Sequence, residues 1–68
     1  MELYDINNKL IEKFDNVLIT YDEELNSLAS YRGSHNGIHE FKDISGEFSL
    51  SQQFIDKTGI KFEKIKSY

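Results

Sequence analysis

His35 and His39 stand four residues apart, the spacing that puts two imidazoles on one face of a helix for zinc. Asn36 and Gly37 lie between them and favour a turn over a helix. No glutamate stands where a metalloprotease would need its general base. In an extended segment the two rings share a side but lie too far apart to chelate easily, so we read them as exposed or edge-strand histidines and expect no metal. Ser34 beside His35 is too common a pairing to signify a triad. Cysteine, a glycine-rich phosphate loop and a Gly-x-Ser-x-Gly turn are all absent from the sequence, and few residues are available to enclose a substrate. The expectation is a protein that is not an enzyme and takes no cofactor.

The residues left over suit contact better than chemistry. Tyr21, Tyr31 and Arg32 are of the types that supply much of the energy at protein interfaces. Asp22, Glu23 and Glu24 form an acidic run, and Glu40, Asp43 and Glu47 add to it if the fold brings them close. Such a cluster imitates the phosphate spacing of a nucleic acid towards a basic groove, and it reads equally as a solvated turn. We take Tyr21, Asp22, Glu23, Glu24, Tyr31 and Arg32 as the candidate partner-binding set. Eight basic side chains against twelve acidic ones leave a charge of −4. Residues 1–34 carry the whole deficit, with Lys9, Lys13 and Arg32 against Glu2, Asp5, Glu12, Asp15, Asp22, Glu23 and Glu24. That balance argues against direct nucleic-acid binding and for a partner protein with a basic surface. The locally basic Lys57, Lys61, Lys64 and Lys66 keep nucleic acid as a third reading.

These side chains need a scaffold, and 68 residues provide one small domain with one core. The strongest signal is a β-hairpin over Leu25 to Ile44, turning where Gly33, Asn36 and Gly37 accept positive φ. Alternation sets Ala29 and Tyr31 on one face with Leu28 on the other, and His39 and Phe41 opposite Ile38. A short helix over Asp22 to Ser30, capped by Asp22, is the competing reading. Leu3, Ile6, Leu10, Ile11 and Phe14 recur at a helical period, which predicts a first helix over Leu3 to Phe14. Val17 to Tyr21 reads as a central strand covered on both sides. A second helix follows over Leu50 to Thr58, with Ser49 and Gln52 spaced as a capping pair, Leu50, Phe54 and Ile55 facing inward, and Gly59 at its C-cap. Ile60 and Phe62 then alternate with Lys61 and Glu63 as a last strand. The predicted fold is two-layer α+β in the order α-β-β-β-α-β, with an antiparallel sheet of three or four strands and two helices. No apolar run approaches the roughly 18 residues of a membrane span, and the start is too polar for a secretory signal. With no cysteine present, this predicts a cytoplasmic protein.

Ser30-Tyr31-Arg32-Gly33, followed by an apolar strand, a helix, Thr58-Gly59-Ile60-Lys61-Phe62 and the closing Lys66-Ser67-Tyr68, resembles a pattern in small uncharacterised bacteriophage proteins. The resemblance spans Leu28 to Tyr68 and implies an accessory phage protein acting in the cytoplasm of an infected host. Combined with the acidic surface, the expected function is non-catalytic binding that modulates or inhibits a host protein, such as a nucleic-acid enzyme or a defence nuclease. A structural or self-assembling homo-oligomeric protein is the alternative, in which the two-sided hydrophobicity of the hairpin serves dimer formation.

Overall fold

In the computed structural model, which describes residues 2–65, Asn36 and Gly37 have φ of 50° and 75°. Positive φ at both central positions is what a two-residue type I′ turn requires. The turn sets His35 directly opposite Ile38 and joins the longest strand, β2 (Asn26–His35), to β3 (Ile38–Asp43). The hairpin therefore forms, and the short helix over Asp22 to Ser30 does not. The remaining elements are β1 (Asn16–Thr20), β4 (Gly46–Ser51), α1 (Gln52–Thr58) and β5 (Lys61–Ile65). All strand pairs are antiparallel in one sheet of order β4-β3-β2-β1-β5. This is an α+β chain with one helix and five strands among the described residues. The helix expected over Leu50 to Thr58 forms as α1, the first helix expected over Leu3 to Phe14 does not, and Gly46–Ser51 adds a strand that takes the sheet from the expected three or four to five.

β2 belongs to two halves of the sheet. Its first part pairs with β1 from Asn26 to Ser30, and its second pairs with β3 from Ser30 to His35. Arg32 is skipped by the register, which passes from Tyr31 opposite Phe41 to Gly33 opposite Glu40. An extra residue of this kind bends a strand and sharpens its twist. The bend is visible in the core. β3 and β5 are three places apart in strand order, roughly 14 Å in a flat sheet. Yet the rings of Phe41 and Phe62 stack with centroids 5.7 Å apart and planes 2° from parallel. The two halves face one another, and the apolar interior lies between them.

That interior is made of Val17, Ile19, Ala29, Tyr31, Phe41 and Phe62 from the strands, Ile55 from α1, Ile60, and Leu3 and Ile11 from the N-terminal arm. The hairpin residues fall on the faces their alternation assigns: Ala29, Tyr31, His39 and Phe41 inward, Leu28 outward and 59% exposed. β1 is central, between β2 and β5, but it is covered on one face only, because Val17 and Ile19 are fully buried while Leu18 is half-buried. In α1 only Ile55 is buried. Leu50 belongs to β4 and Phe54 faces out. Ser51, not Ser49, caps the helix, its Oγ accepting from the Phe54 N–H at 3.0 Å, and Gly59 closes it at φ 74°. Lys66, Ser67 and Tyr68 lie outside the described residues.

The predicted helix over Leu3 to Phe14 is instead an irregular arm, and Asp5 is the reason. Its Oδ1 accepts the N–H groups of Asn7 and Lys9, both at 2.9 Å. A side chain that captures backbone donors in this way competes directly with the helical ladder. Its Oδ2 accepts the Lys64 N–H at 3.1 Å, tying the arm to β5. Burial pushes the Asp5 carboxyl up, but the backbone donors of Lys9, Lys64 and Asn7, with the Lys9 charge, outweigh it and hold the group below its ordinary value. Of the apolar stripe, Leu3 and Ile11 reach the core, whereas Ile6 and Phe14 are 57% and 63% exposed.

Candidate functional site

His39 has no exposed surface, which corrects its reading as an exposed or edge histidine. Its neighbours account for every polar atom of the ring. Asp56 only accepts, so the Gln52 amide nitrogen donates to it at 2.9 Å and Gln52 Oε1 faces His39 Nε2 at 2.7 Å. Nε2 therefore carries the proton, and Nδ1 accepts the Tyr31 hydroxyl at 2.9 Å. Both ring nitrogens are committed, Nδ1 within the hairpin to Tyr31 on β2 and Nε2 to Gln52 at the start of α1. His35 lies at the hairpin end, its Nδ1 3.8 Å from Glu40 with a side chain 64% exposed. The two histidines do not meet, and among the described residues no group of three or more His, Cys, Asp or Glu side chains could hold a metal ion.

The six candidate contact residues separate into three places. Asp22, Glu23 and Glu24 are exposed in the β1–β2 turn, where Asp22 Oδ1 accepts the N–H groups of Glu24 and Leu25 at 2.9 and 2.8 Å. Tyr21 packs half-buried beside that turn, its hydroxyl 3.3 Å from Ser27 Oγ. Tyr31 is 4% exposed and spent on the core and on His39, so it is corrected from a contact residue to a structural one. Arg32 sits six residues beyond Asn26 along β2, roughly 20 Å from the acidic turn at strand rise. Glu40 and Glu47 lie at Arg32's end, not with the acidic run.

Arg32 has other company there, which the sequence did not suggest. The N-terminal arm reaches β2 at Phe14, whose N–H donates to the Tyr31 carbonyl at 2.7 Å, while the Tyr31 N–H donates to the Asp15 carbonyl at 2.9 Å. These bonds hold Phe14 at φ 77°. For a residue with a bulky side chain that conformation is an outlier costing roughly 1–2 kcal/mol. The bulge turns Arg32 towards the same spot. Arg32 Cζ and Lys13 Nζ each stand 5.3 Å from the centre of the Phe14 ring, within cation–π range. The three residues form one wall of an open concavity of about 450 Å³ whose other lining includes Glu40, Glu47 and Ser49, with Phe41 and Phe48 beneath. Its charges are matched, Lys13 and Arg32 against Glu40 and Glu47. It holds an exposed aromatic ring whose backbone is bonded to β2 at Tyr31, a geometry that suits contact with another molecule. No protein-family model, curated protein or solved structure matches the chain. No helix among the described residues is long and apolar enough to cross a membrane.

Proposed function

We propose that the protein is a small non-catalytic binding domain that docks on a partner protein through the Phe14 wall and modulates it. Phe14 carries this reading: a phenylalanine 63% exposed, held at φ 77° and flanked by two cations, contributes little to the core and is kept against its backbone preference. Unfavourable backbone geometry of this sort concentrates at ligand clamps and binding sites, and arginine beside an aromatic ring is a common anchor of interfaces. The partner has a basic surface, because the chain carries −4 overall and Asp22, Glu23 and Glu24 project into solvent, where they steer a positively charged protein during approach. The resemblance to small bacteriophage proteins implies an infected cell as the setting, with a host nucleic-acid enzyme or defence nuclease as the kind of partner.

The test is capture from a bacterial lysate on the immobilised protein, read by mass spectrometry, beside Phe14→Gly and the double variant Glu23→Lys, Glu24→Lys. A protein retained by the parent, lost from Phe14→Gly, and retained less by the double variant and at raised salt supports the reading. A retained set that all three share contradicts it.

A further inference from the structure

Among the described residues one outer strand of the sheet is covered along its edge and the other is not. β5 is covered by the N-terminal arm, where the Ile6 N–H donates to the Phe62 carbonyl at 2.8 Å and the Lys64 N–H donates to Asp5 Oδ2 at 3.1 Å. Among the described residues β4 pairs with β3 alone. A free strand edge offers its outward N–H and C=O groups to any other strand, and proteins usually guard such edges with lysine, proline or a bulge. β4 reads Gly46-Glu47-Phe48-Ser49-Leu50-Ser51. It contains no lysine or proline, and its register with β3 runs unbroken from Gly46 to Ser51. Phe48 and Leu50 are half-buried on the core side, so the edge also leaves apolar surface open.

We infer that β4 is a self-association edge, at which two copies of the chain pair antiparallel about a two-fold axis at Ser49 to give a continuous ten-stranded sheet. The register follows from the side chains. Core-side residues must stay opposite core-side residues, so the axis passes through one residue facing its own copy. Centring on Glu47 sets two carboxylates directly opposite, which is unfavourable. Centring on Phe48 leaves Leu50 against Gly46, and centring on Leu50 runs Phe48 into the start of α1. Centring on Ser49 pairs Phe48 with Leu50 of the second copy twice over and sets each Glu47 opposite an uncharged Ser51. The strand is thus complementary to itself in one register, and a second copy fits it without any charge facing its like. Five paired residues per copy make a small interface, so the association belongs in the micromolar range or weaker. It goes beyond docking at Phe14, although Glu47, Phe48 and Ser49 of β4 also line the concavity that Phe14 bounds.

Ser49→Cys tests this directly, because the chain has no cysteine of its own and any disulfide must join two copies. Residues directly opposite in an antiparallel pair have Cα atoms about 4.5–5.5 Å apart, inside the span of about 4.4–6.8 Å that a disulfide bridges. Oxidised Ser49→Cys is expected to run as a covalent dimer on a non-reducing gel, whereas Glu47→Cys, four residues from its own copy in this register, is not. In sedimentation the parent self-associates with concentration. Ser49→Lys, which sets two ammonium groups opposite at an exposed site, weakens that association tenfold or more with an unchanged circular dichroism melt. A parent that stays monomeric at several hundred micromolar overturns the inference. So does equal cross-linking of the two cysteine variants, or a dimer indifferent to Ser49→Lys.

Discussion

Replacing Phe14 once by alanine and once by glycine isolates the backbone cost on which the binding reading rests. Both changes delete the ring and its contacts with Lys13 and Arg32, so that loss cancels when the two variants are compared with each other. What remains is the backbone at φ 77°. At an ordinary position glycine is less stable than alanine by about 0.5–1 kcal/mol, because it has more freedom to lose on folding. In the left-handed region alanine carries a steric penalty of about 1–2 kcal/mol that glycine escapes. The difference leaves glycine ahead by about 0.7 kcal/mol, the reverse of the usual order. For a domain of this size about 4–8 °C of melting temperature corresponds to 1 kcal/mol, so Phe14→Gly should melt about 3–6 °C above Phe14→Ala. Urea titrations and thermal melts of the two variants in one buffer measure it. Alanine equal to glycine, or above it, would refute the premise that the residue is held against its preference. Because neither variant has the ring, the stability recovered by glycine should bring no recovery of partner capture.

Asp5 makes stability depend on acid. Its carboxyl is held below the ordinary 3.8 in the folded chain, so its contribution is fully present above that value and is lost as pH falls through the lower folded one. Asp5→Asn should therefore lower the melting temperature at neutral pH, and the gap from the parent should narrow below about pH 3.8; a gap independent of pH would count against the assignment. Gln52→Leu strips the His39 Nε2–H of its acceptor in a site without exposed surface. It should cost about 1–3 kcal/mol in urea unfolding, and a neutral result would mean that the ring finds another partner. Gly37→Ala places a Cβ at φ 75° and by the same balance should cost about 0.7 kcal/mol, with the loss read from the same unfolding curves.

The hairpin was legible because its signals were local: Asn36 and Gly37 dictate the turn, and the period of two assigns each neighbour a face. Gly59 closed its helix for the same reason. The N-terminal arm was misread because Leu3, Ile6, Leu10, Ile11 and Phe14 satisfy a helical period while Asp5 draws the Asn7 and Lys9 N–H groups away from it. The decisive partner of that carboxylate, the Lys64 N–H, is 59 residues distant, and no window of sequence contains both. The same limit hid the Phe14 wall. Arg32 stood out by type, but its place beside Phe14 depends on a bulge and on an arm docking across β2. Gly33 directly after Arg32 was the one local hint, since a glycine inside a strand often marks a bulge. Tyr31 went wrong in the other direction, for a tyrosine reads alike whether its hydroxyl meets a partner protein or a buried imidazole.

The clasp between Asp5 and Lys64 also bears on how the chain comes into being. The carboxylate leaves the ribosome 59 residues before the amide it must hold, several seconds at ordinary rates of translation. Throughout that interval the start of the arm lacks β5 to lie on and β1 lacks its second neighbour. Neither is completed until β5 has left the ribosome, so on the nascent chain this half of the sheet forms after the local β2–β3 hairpin can.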